Sequence, residues 1–191
     1  ARLSGLKRYP FRSGDLDTPG SDNRKIATPF TPLKAGATFY CDVRVHNLRK
    51  METGALLSAI TFHGDNGHNF FHGMGMAKPL GFGRCRVTVE GMQGFARPQQ
   101  EYLQYFEAMM QQEVPGWDRS RQLAELFTMA QAPDAARDAQ LDYPKLENPE
   151  TGKNDFVEIK NDKESLKPFS RQEQVPQQSL RPLLTDSALQ R

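Results

Sequence analysis

The residues best suited to chemistry lie in one run, His72-Gly73-Met74-Gly75-Met76-Ala77-Lys78-Pro79-Leu80-Gly81-Phe82-Gly83-Arg84. Its four glycines allow positive φ and let a ligand reach the main chain without Cβ atoms in the way. Amide N–H groups around a single lysine suit phosphate oxygens. The spacing is not that of a nucleotide-hydrolysing P-loop, which needs Lys directly after Gly and then Ser or Thr. Nor is it a dinucleotide fingerprint, because no helix is expected after Gly83. Read on spacing alone, the run is either a phosphate cradle or a glycine-rich hairpin that only turns the chain.

Three of the four histidines, His63, His68 and His72, lie close together with Asp65 between them. They lack the helical i, i+4 register or the CxxC partner of a zinc site, so no metal is assigned to them. His46, His63, His68 and Lys78 offer the residue types for a metal-free ribonuclease, which needs a base, an acid and a cation.

The elements that must position this run are legible in part. Thr38 to His46 alternates, with Phe39, Cys41, Val43 and Val45 on one side and Tyr40, Asp42, Arg44 and His46 on the other, and reads as a half-buried strand. Leu56, Leu57 and Ile60 put an apolar stripe on a helix over residues 52–62, which Gly54 weakens by about 1 kcal/mol relative to Ala. Residues 63–83, with six glycines, read as a long loop, and Arg84 to Val89 as a second strand. Pro98 suits the start of a helix carrying Tyr102, Tyr105, Phe106, Met109 and Met110, which ends near Val114-Pro115-Gly116. Asp118 is the expected cap of another helix, whose Leu123, Leu126, Phe127 and Ala130 face inward. Residues 1–37 read as irregular chain with one short strand, and Pro32, Lys34 and Gly36 as a turn.

The chain has 191 residues, a hydrophobic share of 37% and a net charge of +2; its mean hydropathy is −0.68. This size holds one principal core with appendages. Residues 1–100 carry 14 Lys and Arg against 7 Asp and Glu, a charge of +7. Residues 101–191 carry 11 against 16, a charge of −5, which completes the net +2. The basic half is the expected seat of a polyanion. The two cysteines, Cys41 and Cys85, fall in the expected strands and read as reduced core residues. No apolar run approaches the roughly 20 residues of a membrane span, and no secretory leader is evident, so the expectation is a cytoplasmic protein without membrane contact. The opening at Ala1 reads as that of a fragment or a processed product.

Four segments in order resemble the RAMP superfamily, the repeat-associated CRISPR proteins that form the backbone of type III effector complexes. They are Pro32-Leu33-Lys34-Ala35-Gly36-Ala37-Thr38-Phe39, Val43-Arg44-Val45-His46-Asn47-Leu48, Gly54-Ala55-Leu56-Leu57 and Lys78-Pro79-Leu80-Gly81-Phe82-Gly83. The resemblance covers roughly residues 1 to 90, with flanking echoes at Leu3 to Pro10 and at Tyr143-Pro144. Gly73 departs from it, standing where relatives often place a basic residue. Met76 and Ala77 also depart, standing where relatives often have glycine.

The resemblance implies an α+β, ferredoxin-like (RRM-related) module over residues 1–95; the apolar stripes add a helical hairpin over 96–132, and the polar composition beyond it reads as an extended tail over 133–191 that packs on partners. It implies CRISPR guide RNA and target RNA as ligands and other RAMP subunits or modules as neighbours. The RNA-binding residues are then His72, Gly75, Lys78, Gly81, Gly83, Arg84 and Arg86, which hold phosphates without regard to base. Some members of the family cut target RNA with a loop aspartate and metal ions. Asp15, Asp17 and Asp22 are the candidates here, and a solvated acidic turn is the competing reading. The expectation is a non-catalytic RNA-binding unit that needs no cofactor. The alternative is an endoribonuclease acting on guide precursor or target RNA with a divalent metal.

Overall fold

A computed structural model describes residues 8–11, 28–64, 70–131, 147–148 and 151–161. Within these the chain is a small α+β fold. Helix α1 spans Lys50–Thr61, strands β1 His72–Gly73 and β2 Arg84–Cys85 form a two-stranded antiparallel sheet, and α2 spans Gln99–Glu113. Helix α3 spans Arg121–Ala130 and α4 spans Asp155–Asn161. Two 3-10 turns, Lys78–Leu80 and Trp117–Arg119, tighten the hairpin loop and the α2–α3 connection.

The starts of α1 and α3 are held by side-chain hydrogen bonds to their free amides. At α1 the Glu52 carboxylate takes the Arg49 amide at 2.8 Å and the Arg49 guanidinium at 3.0 Å. The charged side-chain hydrogen bond, followed by the main-chain one, holds the Glu52 carboxyl below its ordinary range. Pro98 caps α2, as its fixed φ and missing N–H favour. The cap of α3 is Ser120, whose Oγ accepts from the Leu123 amide at 3.4 Å. Asp118, expected there from its residue type, is instead buried in the preceding 3-10 turn and accepts from Gln111 Nε2 at 2.5 Å.

The core divides into two clusters. Leu57 of α1 packs on Tyr102 and Leu103 of α2, with Val89, Met92 and Phe95 of the intervening chain folded against them. Phe62, Phe70, Phe127 and Ala130 form the second cluster beneath Trp117, Leu123 and Leu126. Phe70 stacks on Phe127 at 4.8 Å, and the Phe71 amide donates to Ala130 O at 2.7 Å, which ties the hairpin's approach to the end of α3. Phe11 is buried alongside, and its amide donates to Met129 O at 3.1 Å.

Two expected strands are corrected. The alternation over Thr38–His46 is real, but the segment has no ladder partner among the described residues. It runs without helix, turn or bend from Ala37 to His46, and every residue in it except Val45 is exposed. Cys41, expected in the core, is therefore exposed as well. Period-2 patterning specifies which side chains share a face, not which strand lies alongside. The second strand pairs only over Arg84–Cys85. Beyond it the chain keeps a strand-like alternation, with Val87 and Val89 half-buried and Arg86, Thr88 and Glu90 exposed, but without a ladder. The stretch read as one long loop is also more ordered than expected, since β1 lies inside it.

Gly54 has a use that helix propensity does not reveal. A Cβ built on it would collide with the Tyr102 carbonyl oxygen and come within 2.7 Å of Phe106 Cβ, so α1 and α2 meet closely because no side chain is there. Propensity alone makes Gly54→Ala stabilising by about 1 kcal/mol. The packing reverses the sign: urea denaturation of Gly54→Ala is expected to show a loss of about 1–3 kcal/mol, the usual cost of overpacking.

Candidate nucleic-acid interface

The glycine-rich run is the tip of the β1–β2 hairpin. His72 pairs with Cys85 and Gly73 with Arg84, and the Met74 amide donates to Gly83 O at 2.8 Å. Gly75, Gly81 and Gly83 have φ of +79°, +87° and +76°, the left-handed region where a side chain is strained. At Gly83 the need is double, because a Cβ there would overlap the Met74 carbonyl. The Leu80 amide closes on Ala77 O at 2.9 Å and the Gly81 amide on Lys78 O at 3.1 Å, forming the 3-10 turn. Ala77, where glycine was expected from the resemblance, also takes positive φ, at +54°.

This geometry sorts the expected binding residues. The amide of Gly81 is spent inside the loop. Those of Gly75 and Gly83 donate to nothing among the described residues. Lys78 lies back across the tip: its Nζ donates to Gly75 O at 2.5 Å, and its Cδ would stand 3.1 Å from a Cβ on Gly73. The lysine stem thus passes close over Gly73. Arg84 and Arg86 are both exposed two residues apart on the outgoing chain. The Arg86 guanidinium sits 5.6 Å from the Phe71 ring centroid, a cation–π contact that holds it near the hairpin base.

His72 is placed differently from the rest. Its ring stacks on Phe62 at 4.3 Å, and Nε2 lies 2.9 Å from Ile60 O, which can only accept, so Nε2 donates. The imidazole thus anchors the hairpin to the end of α1. Phe82 holds the other side of the tip against Phe30, edge to face at 5.2 Å.

Of the three clustered histidines the structure separates two. His63 is buried at 2% exposure, its Nδ1 3.1 Å from Ser58 Oγ and its Nε2 3.4 Å from Glu107 Oε2, with Trp117 edge-on at 5.7 Å. Hydroxyl, imidazole and carboxylate follow one another as in a nucleophile triad, but Glu107 is also 2% exposed and the ring is enclosed by aromatic side chains. The chain of contacts is a strut between α1 and α2. Nothing in the spacing of His63 and Glu107 announced it, since they are 44 residues apart. His68 and Asp65 lie outside the described residues, as do Asp15, Asp17 and Asp22. Among the described residues no group of three His, Cys, Asp or Glu could hold a metal ion, and no helix is long and apolar enough to cross a membrane.

The two thiols differ in their surroundings. Burial pushes the Cys85 thiol up from its ordinary pKa, and its Sγ lies 3.5 Å from His72 O. The exposed Cys41 is expected to be alkylated by iodoacetamide well before Cys85 in dilute protein near pH 8, with peptide mass spectrometry reading the order.

Comparison with known proteins finds no family model that matches this chain, no curated protein similar to it and no solved structure similar to it.

Proposed function

We propose that this chain is a guide-RNA-binding backbone unit of a type III CRISPR effector, a RAMP-superfamily module that holds RNA by its phosphates through the β1–β2 hairpin. The observation that carries the reading is the hairpin tip. Two undonated amides, at Gly75 and Gly83, stand with Lys78 on the hairpin loop, and the exposed Arg84 and Arg86 follow on the outgoing chain. Amides and cations without a shaped base pocket favour a ligand recognised by its phosphates, and such contacts are indifferent to base identity. A unit that serves many guide sequences needs that indifference.

The order of elements, though not their pairing, is that of a ferredoxin-like module, since the extended segment has no ladder partner among the described residues. An extended segment, α1, the two hairpin strands and α2 follow one another as the first five members of a β-α-β-β-α-β unit. In this proposal His72 positions the hairpin through Phe62 and Ile60 and does not touch phosphate. Gly81 shapes the turn, and Lys78 neutralises charge with the N–H bonds that Gly75 O leaves free. The ligands are guide RNA and the target strand paired with it, and the neighbours are further units of the same superfamily.

Fluorescence-anisotropy titrations of single-stranded RNAs of several sequences test the reading. Lys78→Ala is expected to weaken all of them alike, by about tenfold or more for one lost charge-assisted contact. The slope of log affinity against log salt should fall by about 0.7, the single-strand value for one phosphate. Gly83→Ala, which forces the tip open, should weaken binding further. Unchanged affinity in both variants overturns the proposal.

A further inference from the structure

The segment Ala37–His46 is extended, makes no main-chain hydrogen bond to any described residue, and exposes Phe39 at 74%, Tyr40 at 80% and Val43 at 63%. A strand in this state offers two rows of unpaired amides and carbonyls together with apolar side chains, a template for another strand. Its sequence, Tyr40-Cys41-Asp42-Val43-Arg44-Val45-His46, fixes what kind of strand fits.

We propose that a second copy of this chain pairs with it, antiparallel and in a register centred on Val43, so that two protomers form a twofold dimer through this segment. Residues directly opposite in an antiparallel pair share a face of the ribbon. Centring on Val43 sets Asp42 opposite Arg44 of the second copy, and by symmetry Arg44 opposite Asp42. Tyr40 meets His46 on that same face, and Cys41 meets Val45 on the other. The charged pairs are opposite in sign, Cys41 with Val45 and Val43 with itself are apolar pairs, and Tyr40 with His46 is a polar aromatic pair.

The alternative registers fail on the same residues. Centring on Asp42 puts two carboxylates face to face on the axis, and centring on Arg44 does so with two guanidiniums. Centring between residues sets charged side chains opposite apolar ones. Parallel in-register pairing sets Asp42 beside Asp42 and Arg44 beside Arg44. Like charges directly opposite are unfavourable in a ribbon, and an isologous contact must satisfy its own complement. A register centred on Cys41 avoids like charges but leaves both Asp42 and Arg44 opposite neutral side chains; the register on Val43 alone pairs the two charges with each other.

A pair of strands of about seven residues covers less than the roughly 1,600 Å² of a standard interface, so the dimer is expected at about 10 µM and above. Sedimentation velocity of the full 191-residue chain across that range reads it. Asp42→Arg and Arg44→Asp, each made alone, should raise the dimer dissociation constant by about tenfold or more, since each sets two like-charge pairs across the axis. The double variant D42R/R44D should recover the dimer. An equimolar mixture of the two single variants should form a heterodimer, because one chain then carries both cations and the other both carboxylates.

Circular dichroism of the single variants should match the parent, as the substituted side chains are exposed. A Val43→Cys substitution in a Cys41→Ser background should yield a disulfide-linked dimer on mild oxidation, because position 43 faces itself. A chain that is monomeric throughout, or a dimer indifferent to the single substitutions, overturns the proposal. Neither result alters the phosphate-binding test, which reads RNA affinity in a different set of variants.

Discussion

The close approach of α1 and α2 at Gly54 is the constraint on which the rest of the structure depends. With no Cβ at that point the helices meet backbone to side chain over Tyr102 and Phe106. Leu57 then reaches Tyr102 and Leu103 one turn further on. Beyond it the helix ends in two residues at positive φ, Phe62 and His63 at +50° and +59°. Such a conformation is uncommon for bulky side chains, and here both are held by their contacts. Phe62 fills the second cluster, and His63 bridges Ser58 and Glu107.

The hairpin inherits its place from this helix end. His72 reaches back to Ile60 O and stacks on Phe62, so β1 is fixed to α1 as well as to β2. On the far side the Phe71 amide bonds to Ala130 O, which ties the same strand to the end of α3. Arg8 adds a third tie, donating to Phe71 O at 3.1 Å with its guanidinium over the Phe62 ring. A two-stranded hairpin is marginal alone in water; these ties to two helices and a terminal segment hold its base while the tip stays exposed.

Helices and turns were largely legible in the sequence, and sheet pairing was not. The apolar stripes of α1, α2 and α3, the Pro98 start and the stop at Val114-Pro115-Gly116 each rest on local rules, and each appears within a few residues of its expected place. Ser120 displaced Asp118 as a cap because Asp118 had a better partner in Gln111, a contact that no local rule contains. The strands over Thr38–His46 and Arg84–Val89 were read from alternation, which fixes faces and leaves neighbours open. The hairpin's glycines were read correctly as backbone devices, since Gly75, Gly81 and Gly83 all take positive φ. What the pattern lacked was the division among them, because only hydrogen bonding separates the spent amide of Gly81 from those of Gly75 and Gly83. His63 was grouped with its sequence neighbours, whereas its partners come from the preceding turn of α1 and from α2.

The resting state of Lys78 bears on how such a tip would hold an anion. An ammonium carries three N–H bonds; one is directed at Gly75 O, and the stem is braced against Gly73. The side chain need not be gathered from solvent when an anion arrives, so much of the roughly 2 kcal/mol of rotamer entropy that a free lysine would lose has already been given up in folding. The carbonyl that holds the ammonium belongs to Gly75, the residue whose own amide is undonated. The φ of +79° favours glycine there, although the space around its Cβ position is open. The loop therefore gains its preorganisation from a side chain folded onto its own main chain, at the cost of one hydrogen-bond donor on that lysine.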